Sequence, residues 1–115
     1  MKTFKVTVYG REVELYCKRF TYTAFGNTMV QLYEVESQVF PMSGLPYCAL
    51  STNPSFALPQ GMFFSCANNY GTILEKMIDL NMIKLGESVW RSGFNTYNSF
   101  TINEEVFKQY EKECL

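Results

Sequence analysis

Apolar and polar side chains alternate along the first third of the chain, as they do in strands with one buried face. Residues 4–8 and 12–18 show this alternation on either side of Gly10-Arg11, which predicts a β-hairpin. A further turn leads to a third predicted strand at residues 28–36. Because the connections are short, we expect the three strands to form an antiparallel meander.

A different spacing marks one helix in the middle of the chain. Apolar residues recur three and four positions apart, and they are Ile73, Leu74, Met77, Ile78 and Leu80. Asn68 or Asn69 can cap the amino end of a helix by accepting a backbone N–H. Asn81 tolerates the left-handed conformation that often ends a helix. We therefore predict a helix over residues 69–81 that packs its apolar stripe on a sheet.

The remaining segments predict more strands and a helical tail. A loop at residues 37–46 precedes a strand at residues 47–53, whose low polarity favours a central place in the sheet. Further short strands are predicted at residues 62–65, 82–85, 88–91 and 97–102, with a turn at Gly86-Glu87. Residues 104–113 form a charged helical tail that Asn103 can cap. The chain is thus predicted to be one α+β domain over residues 1–115. An antiparallel sheet of five or more strands packs against one central helix, and a short C-terminal helix follows.

Charge and hydropathy limit the cellular compartments and the classes of partner that the sequence favours. The formal net charge is −1, from 10 basic and 11 acidic residues, so no strong field attracts phosphate backbones or anionic membranes. Residues 1–8 have an amphipathic strand pattern instead of the apolar run of a signal peptide. No stretch approaches the ~20 apolar residues of a membrane span. We expect a cytoplasmic protein with no membrane partner and with four free, mostly buried cysteines.

The amino-acid composition lacks most of the side-chain groups and motifs that enzymes use for catalysis. Histidine is absent, which removes Ser-His and Cys-His nucleophile pairs and the usual zinc ligands. The cysteines lack C-x-x-C spacing, and the chain has neither a phosphate-binding loop nor a dinucleotide fingerprint. Glu12 and Glu14 share one strand face and Glu34 and Glu36 share the next, a pattern typical of solvated sheet faces. The sequence predicts no enzyme, no cofactor and no metal site, whereas a polar pocket holding two glutamates would favour an enzyme.

The start of the predicted helix is the first candidate for recognition. Asn68, Asn69, Tyr70 and Gly71 stand where backbone N–H groups are free, and the glycine lets a partner approach closely. Such a helix start can hold an anion or a carboxylate. The alternative is that these residues serve only to cap the helix.

Two further candidates lie at strand ends. Trp90 and Arg91, followed by Phe94, place an indole beside a guanidinium, which is a common binding pair. The alternative is that Trp90 anchors the sheet with Arg91 at its edge. Thr52 and Asn53 precede a proline, where short polar side chains either contact a ligand or cap a turn.

Aromatic residues are unusually frequent for one small core, with 10 Phe, 8 Tyr and 1 Trp. In one interpretation, tyrosine rings line half-buried strands. In the other, some of the rings form a recognition surface, because Tyr and Trp supply contact area at low entropic cost. The second interpretation favours a binding protein and leaves a homodimer open.

Several short motifs resemble a known group of proteins when they are taken in chain order. Residues 47–53 resemble a Tyr-Ala-Thr-Leu-Thr-Val-Asn-like strand, and residues 68–71 resemble an Asn-x-Gly helix start followed by leucine. Gly86 and later residues 92–94 resemble a Gly…Ser-Gly-Phe ending. Over residues 28–100 the chain is similar to a family of small proteins of unknown function carried on plasmids, conjugative elements and phages of gut bacteria.

The resemblance implies genomic context and brings no catalytic residue. Where the family has charged residues just before the helix, this chain has Phe-Phe-Ser-Cys-Ala at residues 63–67, so roles tied to those charges do not carry over. The expected function is a small binding protein of a mobile element that acts on a protein partner, such as a host defence system that it inhibits. The alternative is a single-stranded nucleic-acid-binding accessory protein that stacks bases on its rings. That alternative requires its basic residues, Lys2, Lys5, Arg11, Lys18 and Arg19, to cluster on one sheet face.

Overall fold

The computed structural model describes residues 1–35 and 46–113, and these form an α+β structure, as predicted. The strands within these residues are β1 (Phe4–Val8), β2 (Arg11–Thr21), β3 (Thr28–Glu34), β4 (Cys48–Ala49), β5 (Met62–Ser65), β6 (Ile83–Ser92) and β7 (Asn95–Ile102). The helices are α1 (Ala67–Asp79) and α2 (Glu104–Phe107), and a 3₁₀ turn at Lys108–Tyr110 follows α2. No helix in the described ranges is long and apolar enough to cross a membrane.

The first sheet, sheet A, is antiparallel and has the order β1-β2-β3-β4. Its first three strands form the predicted meander. Tyr9 and Gly10 connect β1 to β2, and their φ angles of 49° and 78° are both positive, as a type I′ turn requires. The alternation in β2 buries Val13, Leu15 and Cys17 on one face of the sheet.

The second sheet, sheet B, is antiparallel and has the order β5-β7-β6. Gly93 and Phe94 close the hairpin between β6 and β7. Gly93 has a φ of 62°, whereas Phe94 is not in the left-handed region, which is the pattern of a type II′ turn. The pairing of β6 with β7 is irregular once, in a bulge between Leu85 and Val89.

The bulge in β6 depends on Gly86. A Cβ at this position would collide with the hydroxyl oxygen of Ser99 on β7. Ser99 is buried, and its hydroxyl has no hydrogen-bond partner among the described residues. The predicted turn at Gly86-Glu87 is therefore wrong, because these residues lie in an irregular part of one continuous strand.

Helix α1 buries the predicted apolar stripe. Ile73, Leu74 and Met77 are buried, and their neighbours Ile78 and Leu80 pack against the same core. The helix begins and ends two residues earlier than the predicted range of 69–81.

The C-terminal end of α1 is a Schellman motif. The N–H of Asn81 donates to the Ile78 carbonyl, and that of Met82 donates to the Met77 carbonyl, both at 2.9 Å. Asn81 has a φ of 61°, so the prediction that it ends the helix in the left-handed conformation is confirmed. Met82 and Met77 are both fully buried, which supplies the apolar contact that accompanies this motif.

One hydrophobic core joins the two sheets. Helix α1 contacts β1 of sheet A and both β6 and β7 of sheet B. The buried side chains of the core come from both sheets and both helices, and they include Val6, Leu15, Leu32, Phe63, Met77, Phe100 and Phe107. The sheets also meet directly where β3 contacts β5, and the Ser65 hydroxyl donates to the carbonyl of Leu50, just after β4, at 2.6 Å.

The C-terminal segment packs against β2 through Arg19. Phe107 is fully buried, and the guanidinium carbon of Arg19 lies 5.1 Å from its ring centroid. Arg19 donates to both carboxylate oxygens of Glu111, at 2.6 and 2.7 Å, and to Glu104 at 2.5 Å. Hydrogen bonding to Glu111 raises the pKa of Arg19 above its ordinary value. This ion-pair group holds the short C-terminal helix on sheet A.

Several boundaries differ from the sequence prediction. The strands divide between two sheets, where a single sheet was expected. The predicted central strand at residues 47–53 is wrong: only Cys48–Ala49 pair, at the edge of sheet A, because the backbone at residue 52 turns to bridge Phe64 of sheet B. The predicted loop at residues 37–46 lies almost wholly outside the described residues. The helical tail ends at Tyr110, and Asn103 makes no side-chain capping bond there.

Truncation of Leu74 tests whether α1 carries the shared core. We expect Leu74→Ala to lower the free energy of unfolding by roughly 2–5 kcal/mol, because it removes a buried side chain and leaves a cavity. Urea denaturation followed by circular dichroism measures the change. Glu75→Ala, at the exposed neighbouring position, is the matched control and should change stability by less than about 0.5 kcal/mol. A loss below about 1 kcal/mol for Leu74→Ala would contradict the core role.

Candidate functional site

Four aromatic rings cluster on the face of sheet B that points away from α1. We call this cluster the aromatic face: Phe56, Phe64, Trp90 and Tyr97. The Trp90 ring centroid lies 4.9 Å from that of Tyr97, 5.9 Å from Phe64 and 6.3 Å from Phe56. These separations are typical of favourable aromatic pairs. Trp90 is therefore half-buried among three rings, which agrees with the interpretation that it anchors the sheet.

A buried amide holds Phe56 in this cluster. Asn27 donates from Nδ2 to the Phe56 carbonyl at 2.9 Å and to Asn53 Oδ1 at 2.8 Å. The Oδ1 of Asn27 accepts the Leu58 N–H at 2.7 Å, and Asn53 donates to the Ala24 carbonyl at 3.3 Å. This network fixes the segment after β4 against the turn between β2 and β3. The Phe56 ring is left on the aromatic face with 43% of its surface exposed.

Two further exposed rings stand at turns, one at the end of the strand that carries Trp90 and one at the turn that the Asn27 network holds, and we call them the flanking tips. Phe94 occupies the second position of the β6–β7 turn and is fully exposed, four residues beyond Trp90. Phe25 lies in the turn between β2 and β3, next to the Asn27 network, and is 55% exposed. Its φ of 64° is unusual, since bulky residues rarely adopt the left-handed conformation.

The structure brings together the second and third predicted candidates. The N–H of Thr52 donates to the Phe64 carbonyl at 2.8 Å, so Thr52 lies beside the aromatic face. Asn53 belongs to the Asn27 network, and its side chain stabilises the fold. Arg91 is exposed, but it follows Trp90 on the strand and therefore points to the opposite face of sheet B.

The first predicted candidate, the helix start, differs from the expectation. The capping residue is Cys66, and neither Asn68 nor Asn69 caps the helix, because α1 follows β5 directly and begins before them. The backbone N–H groups of Asn69 and Tyr70 both donate to the Cys66 carbonyl. Tyr70 has non-helical backbone angles and packs against the core. A Cβ on Gly71 would meet no atom within 4 Å, so close packing does not require glycine there.

Two of the five basic residues named for nucleic-acid binding form ion pairs with glutamates. Arg11 donates to Glu34 at 2.8 Å, and Arg19 is held by Glu104 and Glu111. Lys18 lies 4.5 Å from the Tyr33 ring centroid, and it points away from Arg19 because the two residues are neighbours on β2. The five basic residues named for nucleic-acid binding therefore do not form one unpaired cluster.

Two grooves among the described residues are large enough to hold a small ligand. One, of about 640 Å³, lies between the end of α1 and β6, and apolar and polar residues line it in equal number, with Lys84 as its one charged residue. The other, of about 550 Å³, includes Glu111 and Glu113. Both carboxylate oxygens of Glu111 accept hydrogen bonds from Arg19, so the second groove does not offer two free carboxylates. No group of three possible metal ligands occurs within the described ranges.

The described cysteines are free thiols, as predicted. Cys17 and Cys66 are buried and Cys48 is half-buried, while Cys114 lies outside the described residues. Burial raises the pKa of the Cys48 thiol to about 12 and also raises that of Cys17. Because the thiolate is the nucleophilic form, neither residue is suited to reaction near neutral pH.

Sequence reasoning missed most of the aromatic face. Phe64 and Tyr97 were expected only as strand residues, and Phe56 lies between the strands predicted at residues 47–53 and 62–65. Alternation could have placed Phe64 on the face opposite Phe63. No local signal could have placed Phe56 or Asn27, because a hydrogen-bond network between segments distant in the chain positions them.

The fold and the aromatic face define a small α+β protein with aromatic rings exposed beside a three-stranded sheet. No protein-family model, curated protein or solved structure matches this chain. The resemblance of residues 28–100 to a mobile-element family therefore stays a prediction.

Replacement of Gly71 tests whether the fold requires glycine at the helix start. Its φ is not in the left-handed region and the space for a Cβ is open, so Gly71→Ala should raise the free energy of unfolding by about 0.5–1 kcal/mol. Gly26→Ala is the matched control: the space is equally open, but φ is 65°, so that variant should be less stable than the wild type. Urea denaturation measures both. A destabilised Gly71→Ala variant would contradict the prediction.

The raised pKa of the Cys48 thiol predicts a loss of stability in alkaline solution. The unfolded chain releases the Cys48 proton near its ordinary pKa of 9.0, whereas the folded chain retains it to about 12. The unfolded state then binds fewer protons, so Cys48 should lower the free energy of unfolding by up to about 1.4 kcal/mol per pH unit above pH 9. Urea denaturation between pH 9 and about 11 should show a shallower slope for Cys48→Ala than for the wild type. Equal slopes would refute this role of Cys48.

Proposed function

We propose that this protein is a non-catalytic binding protein that contacts a protein partner through the aromatic face and the flanking tips. The observation that carries the proposal is Phe94, a fully exposed ring on a tight turn, four residues beyond the half-buried Trp90. Rigid aromatic side chains beside a packed centre are typical of binding hot spots, because little entropy is lost when they are covered.

The backbone conformation of Phe25 supports the proposal that this surface contacts a partner. A residue other than glycine or asparagine in the left-handed conformation costs about 1–2 kcal/mol, and Phe25 has a φ of 64°. More than half of its surface remains exposed, so burial within the chain offsets this cost only in part. Tyr9 is also left-handed, with a φ of 49°, so Phe25 is distinguished by its place at the turn that the Asn27 network joins to Phe56.

The alternative functions find less support. A binder of single-stranded nucleic acid needs unpaired cations along a groove, but Arg11 and Arg19 are paired with glutamates. Trp90 stacks on Tyr97, so one face of the indole is already covered. An enzyme would need a reactive group, and the chain has no histidine.

Context sharpens the proposal. The resemblance to proteins of plasmids, conjugative elements and phages supports a role inside a bacterial host cell, where the partner would be a host protein. Inhibition of a host defence system is the specific role that we propose. It rests on analogy of genomic context, and not on a motif.

Affinity capture from lysate of the native host, with and without nuclease, tests the proposal. We expect a protein partner that survives nuclease treatment. Phe94→Asn should lower its recovery at least about tenfold, because a hot-spot ring is lost. Asparagine suits the second position of a Gly-initiated type II′ turn, so the variant should fold normally. Phe25→Asn should weaken capture in the same direction.

Tyr9→Asn is the matched control for both variants. Tyr9 is exposed at a tight turn, almost as fully as Phe94 and more than Phe25, but that turn belongs to the β1–β2 hairpin of sheet A. Its replacement should leave capture unchanged. Equal recovery with Phe94→Asn and the wild type would overturn the role of Phe94, and recovery that nuclease abolishes would favour the nucleic-acid alternative. Trp90→Ala is less informative, because it removes packing from three rings at once.

A further inference from the structure

The hydrogen bonds of Asn27 join two segments that carry exposed rings. Asn27 is buried, and it lies two residues after Phe25 in the connection between β2 and β3. Its amide nitrogen donates to the Phe56 carbonyl and to Asn53, in the connection between β4 and β5. Its amide oxygen accepts the N–H of Leu58. One buried side chain therefore fixes the backbone on both sides of the Phe56 ring.

The same network fixes the turn that presents Phe25. The backbone N–H of Tyr22 donates to the Asn27 carbonyl at 2.9 Å, which closes the turn. Asn53 donates at 3.3 Å to the carbonyl of the residue just before Phe25. The network therefore positions Phe25 and Phe56 together, although one ring lies at a turn of sheet A and the other packs on sheet B.

A binding surface gains affinity when its side chains are fixed before contact, because less conformational entropy is then lost. We propose that Asn27 is the positioning residue of the binding surface and holds Phe25 and Phe56 as one unit. Because Asn27 is buried, it acts through these rings and not by touching the partner. Phe94 lies on the separate β6–β7 turn, so its contribution to binding is independent of Asn27. This inference rests on the proposed function.

The fluorescence of Trp90, the one tryptophan of the chain, tests the positioning without a partner. The ring centroids of Phe56 and Trp90 lie 6.3 Å apart, so release of Phe56 exposes more of the indole to water. Asn27→Asp keeps an oxygen for the Leu58 N–H but replaces the donating nitrogen by an acceptor. This variant should shift the Trp90 emission to longer wavelength and increase its quenching by acrylamide. Phe56→Ala should cause a similar shift, and the double variant should show no further shift.

Two more variants separate positioning from a general loss of stability. Asn27→Ala removes the same side-chain bonds without burying a charge, so it takes the place of Asn27→Asp if that variant fails to fold. Ser65→Ala is the matched control, because it removes another buried hydrogen bond, to the Leu50 carbonyl. Ser65 follows Phe64 on β5 and points away from the aromatic face, so the Trp90 emission should stay unchanged. Circular dichroism and urea denaturation verify that each variant is folded.

Capture of the protein partner from nuclease-treated host lysate tests the consequence for binding. Asn27→Asp should lower recovery at least about tenfold, because two rings must then be ordered on contact. Adding Phe25→Asn should cause little further loss, since that ring has already been released. Adding Phe94→Asn should instead multiply the two separate losses, because Phe94 is positioned independently.

The outcomes distinguish this inference from the proposed function. An unchanged Trp90 emission in folded Asn27 variants would overturn the inference with or without a partner. Unfolding of both Asn27 variants would also overturn it, because the network would then be required for the whole fold. A shifted emission with wild-type recovery would overturn it and leave the proposed function intact. If the wild type captures no protein partner, the proposed function fails, and this inference fails with it.

Discussion

Burial of α1 between two small sheets is the interaction on which the rest of the structure depends. Neither a four-stranded sheet with a two-residue edge nor a three-stranded sheet covers its own apolar face. Helix α1 supplies Ile73, Leu74 and Met77 to both. Because this helix occupies one face of sheet B, the opposite face is left for the aromatic rings, and β6 is left at the edge. The surface that carries the proposed function thus follows from the way in which the two sheets share one core.

The sequence predicted those parts of the fold in which neighbours along the chain decide the conformation. The stripe of α1, the left-handed Asn81 and the meander of β1, β2 and β3 depend on local periodicity and short turns. The division into two sheets depends on pairings such as Thr52 with Phe64, which no periodicity reveals. The same holds for the bulge in β6, which requires the close approach of Gly86 to Ser99.

The candidate site was predictable to a similar degree. Trp90 and Phe94 were named from residue type, and both lie at the surface that we consider functional. Asn53 was named as well, but its amide serves the Asn27 network, so its importance is structural. Phe56 escaped prediction because a loop residue gains a fixed position only through tertiary hydrogen bonds. Side-chain chemistry read from sequence therefore identified which rings were available, and tertiary packing determined which of them meet.

The contact between Arg19 and the C-terminal segment has a consequence for how the chain is made. Phe107 fills the core, and Arg19 is held by Glu104 and Glu111, 85 and 92 residues further along the chain. The N–H of Lys2 also donates to the Gln109 carbonyl at 2.7 Å. A ribosome synthesises β1 and β2 long before these partners emerge from it. One apolar face of the nascent hairpin therefore remains uncovered during synthesis, and the core is completed only when the last helix has been translated.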